Sequence, residues 1–182
     1  MDIVKQINQH TKSLNDGLFG SSLEHRKSLA ISILGFYFKL PNFEETIHKY
    51  IGITVKSDQL ISDINKGNIQ NYQEAIKKSN ADVDVYADNY EEPEPIEIFI
   101  LDAFESATSD LKFTTKIVAL FIGIIDALDY YENFSDRSEF WNNLLEKEVE
   151  FQNDILIQLG LNQEFEASMY QKRYENVNFD EL

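Results

Sequence analysis

Residues 113–128 read FTTKIVALFIGIIDAL. Apolar side chains recur at Phe113, Ile117, Leu120, Phe121, Ile124, Ile125 and Leu128, which is helical spacing. Other apolar residues fill the remaining faces. A helix that is apolar nearly all round lies inside a protein. The unbroken apolar run, 117–125, stops at Asp126 and is too short to span a bilayer. The stretch therefore predicts an all-α fold, with this helix buried at the centre of a single-domain bundle.

Working outward, the same period continues on both sides. Leu23, Ala30, Ile33, Leu34, Tyr37 and Leu40 outline a second, widely apolar helix, with Ser21 and Glu24 at capping-box spacing and Pro41 as its stop. Before it, Ile3/Val4, Ile7 and Leu14 make a weak helix that Asp16-Gly17 and Gly20 should end. After it, Asn42 is read as the cap of a helix closed by Gly52, and Ser57 as the cap of one closed by Gly67. A short helix through Ile69, Tyr72 and Ile76 leads to an aperiodic acidic loop at about 80–95, containing Pro93 and Pro95. Helix resumes over 96–107. Asp110 is read as the cap of the central helix. Ser135/Asp136 cap a long helix through Trp141, Leu144, Leu145, Val149, Ile155, Leu156 and Leu159, ended by Gly160. Asn162 should cap a last short helix to about 174, and the tail 175–182 reads as frayed. The expectation is seven to nine helices in one domain, 1–182.

Composition agrees. The 182 residues are 43% hydrophobic with 13 Phe and 9 Tyr, enough for a core. Seven Gly and three Pro favour long helices over many short strands. The absence of Cys excludes disulfides, thiolate nucleophiles and Cys-ligated metals. The first residues lack a basic-then-apolar leader pattern, so a cytoplasmic protein is expected. Charge is divided unevenly: residues 1–78 sum to +2 and residues 79–182 to −18. Between Ser79 and Leu111 there are ten acids and no base. Such a surface repels nucleic acids and anionic membranes and attracts basic partners.

No residue constellation defines a reaction. Glu45 and His48 have the spacing of one half of a di-metal helix site, but the second half is missing. Asp82 and Asp84 begin like a calcium loop, which then needs a glycine and a glutamate where this chain has Ala87 and Pro93. No phosphate-binding, nucleophile-elbow or zinc-protease motif occurs. No cofactor and no metal are expected. Asp129-Tyr130-Tyr131 is similar to the tyrosine pair of colicin nuclease immunity proteins, small acidic helical inhibitors of basic enzymes. The spacing to the preceding acid differs, and helix-end packing is the simpler reading. Asp102, amid IFILDAF, and Gln152, in register with Leu145 and Trp141, are read as inward polar groups that need partners. They are the candidate pocket residues.

Several segments resemble, in order along the chain, the YjaG-like bacterial family. They are Pro41-Asn42-Phe43, Glu74-Ala75-Ile76, Asp82-Val83-Asp84-Val85-Tyr86-Ala87, Leu101-Asp102-Ala103, and Glu148, Glu150, Gln152, Asp154 and Ile155. The chain departs from that family in a longer insert at 88–95. The resemblance implies an all-helical fold and a cytoplasmic bacterial protein. It carries over no catalytic residue.

These readings converge on a non-enzymatic interaction protein, immunity- or antitoxin-like in one concrete form, with a basic protein as its partner. The candidate interaction residues are Asp82, Asp84, Tyr86, Asp88, Tyr90, Glu91, Glu92 and Glu94, where charge alternates with aromatic anchors. The alternative is a small-molecule binder or enzyme with a polar pocket near Asp102 and Gln152. Neither nucleic acid nor membrane is an expected partner, and the sequence leaves the oligomeric state open.

Overall fold

A computed structural model describes residues 3–84, 86–88 and 90–180, with side chains from residue 7 onward. Among the described residues there are nine helices and no strand. They are α1 (Ile3–Leu18), α2 (Leu23–Tyr37), α3 (Phe43–Ile51), α4 (Ser57–Lys66), α5 (Gln70–Asp82), α6 (Pro95–Ala107), α7 (Thr114–Phe134), α8 (Ser138–Gly160) and α9 (Met169–Arg173). The fold is an all-α helical bundle.

The central helix is α7, which lies along α8 and α6 and also touches α1 and α2. Its buried set includes Ile117, Leu120, Phe121, Ile124, Leu128 and Tyr131. Phe113 departs from the expected stripe. It precedes the helix as its N-cap residue and is 64% exposed. A second centre is α2, in which every residue from Leu29 to Tyr37 is buried. It packs against α4, α6, α7 and α9. The close approach of α9 depends on Gly35, where an added Cβ would lie 2.9 Å from the backbone nitrogen of Gln171.

Several helix ends differ from the local reading because distant groups supply the caps. Ser22, not Ser21, caps α2 by accepting from His25 N–H at 3.1 Å. Ser21 Oγ instead donates to the Leu18 carbonyl. Asn42 precedes α3 in the left-handed region (φ 61°) without a side-chain capping bond. Glu44 of α3 accepts from Ser57 N–H at 3.0 Å, so the start of α4 is held from the preceding helix. Asp110 Oδ1 accepts from Lys112 N–H in the turn before α7. Ser135 closes α7, and its Oγ accepts from Arg137 N–H ahead of α8. Gly17 does not break α1. It lies inside the helix, where Leu156 of α8 packs against it. Gly52 and Gly67 end α3 and α4 with φ of 76° and 78°, a conformation only glycine adopts without strain.

Residues 175–180 are not frayed. Phe179 is buried against Phe36, Tyr131 and Trp141, and its carbonyl accepts the Tyr131 hydroxyl at 2.6 Å. Residues 181–182 lie outside the described set. Tyr131 is therefore fully buried, and Tyr130 packs on Phe99 and Phe134. That tyrosine pair is helix-end packing. No helix among the described residues is long and apolar enough to cross a membrane.

Candidate functional site

The acidic loop joins the C-terminal end of α5 to the N-terminal end of α6. Asp84 forms a turn by accepting from Tyr86 N–H at 3.0 Å, and the Ala87 and Tyr90 amides close two further turns. This geometry turns Tyr86 outward, and it is 93% exposed. Val83 and Tyr90 are also exposed. Asp82, Asp84, Asp88, Glu91, Glu92 and Glu94 all reach solvent. Val85 and Asn89 lie outside the described residues.

Two of these residues have work inside the molecule. Glu91 pairs with Lys49 at 3.4 Å. Glu94 is the residue before Pro95 at the start of α6, and its backbone N–H donates to Glu97 Oε2 at 2.8 Å. Glu97 also accepts from the Tyr50 hydroxyl at 2.7 Å and lies near Lys49. Burial pushes the Glu97 carboxyl up, but the bonds from Tyr50, Glu94 and Lys49 outweigh it and hold the carboxyl below its ordinary range. The loop is thus pinned at its C-terminal root, with Tyr86 standing out into solvent.

The two pocket candidates have different surroundings. Asp102 is exposed on α6 rather than inward. Loss of part of its hydration, with Glu105 beside it, raises its carboxyl above the usual range. Asp126 on α7 is raised in the same way, by burial first and then by Asp129 and Asp102. Gln152 is fully buried, and its amide is saturated. It donates to the Phe121 carbonyl at 3.0 Å and to Glu148 Oε1 at 2.9 Å. Its oxygen faces His10 Nε2 at 2.8 Å, so that ring nitrogen carries the donated proton.

Gln152 belongs to a buried network whose focus is Glu148, fully buried on α8. Glu148 Oε1 also accepts the Tyr170 hydroxyl at 2.7 Å. Its Oε2 accepts the Tyr174 hydroxyl at 2.8 Å and Arg173 Nε at 2.9 Å. Burial pushes the Glu148 carboxyl up, opposed by these donors. Burial and the facing carboxylate also raise both tyrosines. The network ties α1, α7, α8 and α9 together. Sequence reasoning singled out Gln152 but missed the centre. The available signal was Glu148 one helical turn before Gln152, with Tyr170, Arg173 and Tyr174 at i, i+3 and i+4 on a short helix. Along this part of α8, Glu148, Gln152 and Ile155 point inward, while Glu150 and Asp154 face solvent.

Open grooves among the described residues include two. One, of about 470 Å³, lies at the root of the acidic loop and is lined by Lys49, Tyr50, Lys78, Ser79 and Asp82. The other, of about 670 Å³, lies where α5 begins and α6 ends, and it carries Lys27, Lys77 and Lys112. Neither is lined by Asp102 or Gln152. Glu45 and His48 are both exposed on α3. Among the described residues no group of three His, Cys, Asp or Glu is placed to hold a metal ion.

No family model matches the chain, and no curated protein or solved structure is detectably similar to it.

Proposed function

We infer that this is a non-enzymatic interaction module of the cytoplasm, akin to the YjaG-like family, which meets a basic protein through the acidic end of the bundle. The observation that carries the reading is Tyr86, 93% exposed at the tip of a loop whose neighbouring carboxylates reach solvent. An outward aromatic ringed by charge suits a partner that offers a basic rim around an apolar pocket. Inhibition of a basic enzyme or toxin, in the manner of an immunity protein or antitoxin, is the concrete form proposed. The saturated hydrogen bonding of Gln152 makes it a poor ligand contact, which favours this reading over a pocket near Asp102 and Gln152.

The test is affinity purification from the native cell at low and moderate salt, followed by association kinetics with the protein recovered. Asp88→Asn with Glu92→Gln should slow association and flatten its salt dependence. Tyr86→Ala should speed dissociation. Rates unchanged in both variants would remove this surface from the function.

A further inference from the structure

We propose that the seam between α6 and α7 docks a basic amphipathic helix of a partner protein, its apolar side chains on Phe99, Tyr130 and Phe134 and its lysines or arginines over Asp102, Asp126 and Asp129. On the basic-partner reading above, on which this rests, the partner meets a second surface that starts one helical turn along α6 from Pro95, beside the acidic loop. The apolar part is continuous across the two helices. Tyr130 of α7 lies against Phe99 of α6, ring centroids 6.1 Å apart, and against Phe134, 4.7 Å apart. Phe99 and Tyr130 are half-buried, and Phe134 is 69% exposed. An aromatic ring left in water beside two others is surface that an interface buries with gain. A seam between packed helices accepts a third by the fit of ridges into grooves. With no strand among the described residues, no sheet edge is offered to an extended peptide.

The polar part decides the charge of the occupant. Together α6 and α7 carry six acids and one base, Lys116, which pairs with Glu105 at 3.8 Å. Arg137, just beyond α7, stacks its guanidinium on Phe140, 4.1 Å from the ring centroid. Asp102, Asp126 and Asp129 are exposed and make no ion pair among the described residues. Asp129 accepts only from Asn133 on its own helix, at 3.2 Å. The three converge across the seam. The Asp126 carboxyl is raised first by lost hydration, then by Asp129 and by Asp102 from the facing helix. After burial, Asp126 and Asp102 are the next causes that raise the Tyr37 hydroxyl, which lies beneath the seam against Gly123. Unpaired carboxylates held close repel one another in the free protein. An arriving ammonium or guanidinium relieves that repulsion while its stem covers the aromatic rings. A cation over Tyr130 or Phe134 also gains from the negative ring face. A second copy of this chain, at −16, or an anionic membrane would add repulsion instead.

The experiment is isothermal titration of the full chain with synthetic peptides: an amphipathic Leu/Lys helix, the same helix with Glu for Lys, and oligolysine. The Leu/Lys helix should bind. The Leu/Glu helix and oligolysine should be weaker by about tenfold or more, because apolar burial and positive charge are both needed. Phe134→Ser should weaken the Leu/Lys helix by about tenfold. Asp126→Asn with Asp129→Asn should weaken it as much and flatten its salt dependence. Asp88→Asn with Glu92→Gln removes the same charge from the acidic loop and should leave the affinity unchanged. No binding of the Leu/Lys helix, equal binding of either control peptide, equal weakening by the loop pair, or full affinity in the folded seam variants would overturn the proposal. Association with the native partner separates the two surfaces. Loss in the loop pair with full association in the seam variants upholds the loop and overturns the seam, and the reverse pattern upholds the seam and overturns the loop.

Discussion

Glu148 concentrates more of the fold's polar energetics than any other residue. It is a fully buried carboxylate with four donors from three residues of the C-terminal segment and from Gln152. Truncating it leaves Gln152, Tyr170, Arg173 and Tyr174 without their buried acceptor. Glu148→Ala should therefore cost about 3 kcal/mol, measured by urea unfolding, the penalty for leaving buried donors unsatisfied and breaking one side of a buried pair. The buried tyrosines set an alkaline limit. Tyr37, Tyr131, Tyr170 and Tyr174 are raised, burial being the first cause in each, and Tyr72 is pushed up to about 12 by burial and by Asp63. A pKa raised in the folded state means the native protein holds its proton longer than the unfolded chain does. The corresponding stability is fully present below the ordinary tyrosine value of about 10 and is lost as pH rises beyond it. Phenolate absorbance and far-UV circular dichroism should thus change together in one cooperative step above about pH 10. Phenolate appearing for these residues while the helix signal stays intact would show that they are not buried as described.

At the scale of elements, α7 and α2 carry the core, and their residues differ sharply in worth. Phe121 is fully buried, so Phe121→Ala should cost about 3–5 kcal/mol through lost burial and a cavity. Phe113, in register with the same stripe, is 64% exposed ahead of the helix. Phe113→Ala should change stability by no more than about 0.5 kcal/mol. Urea midpoints of the two variants side by side check the contrast, and equal losses would place Phe113 in the core after all. The shorter helices depend on supports from elsewhere. Glu44 caps α4 from α3, Glu97 holds the entry of α6, and the docked Phe179 closes the bundle over Trp141 and Tyr131.

For the molecule as a whole, the charge imbalance makes stability depend on pH and salt in a particular sense. Asp102, Asp126, Glu132 and Glu148 are raised, in each case first by loss of hydration. Their contribution is present below the ordinary carboxylate range and is lost as pH climbs through their raised values. Glu44, Asp63 and Glu166 are lowered, in each case first by a side-chain hydrogen bond, from Lys56, Gln59 and Lys172 respectively. Glu97 is lowered too, by the bonds at the loop root. Their contribution is present above the ordinary range and is lost as pH falls through their lowered values. Mild acidification also relieves the mutual repulsion of an acidic surface. Stability should therefore peak at about pH 5 rather than at neutrality, and at pH 7 it should rise with added salt. Urea midpoints across pH and salt check this, and a maximum near pH 8 with no salt effect would contradict it.

At this same scale the contributions of chain and fold separate. Periodicity alone determined the all-α class, the central place of the helix from Ile117 to Leu128, the buried character of α2 and the glycine stops at Gly52, Gly67 and Gly160, because those signals lie within a turn or two of helix. Composition alone determined the acidic half. Tertiary structure decided which residues escape their local pattern. Gly17 stays helical with Leu156 packed on it, Phe113 is turned out by the bend before α7, and Phe179 is drawn in by four aromatic rings. It also joined His10 to Gln152, 142 residues apart, and Glu148 to Tyr170, Arg173 and Tyr174. Hydrogen-bond partners that meet only after the helices pack leave no period in the chain, so the polar centre exists at the level of the fold.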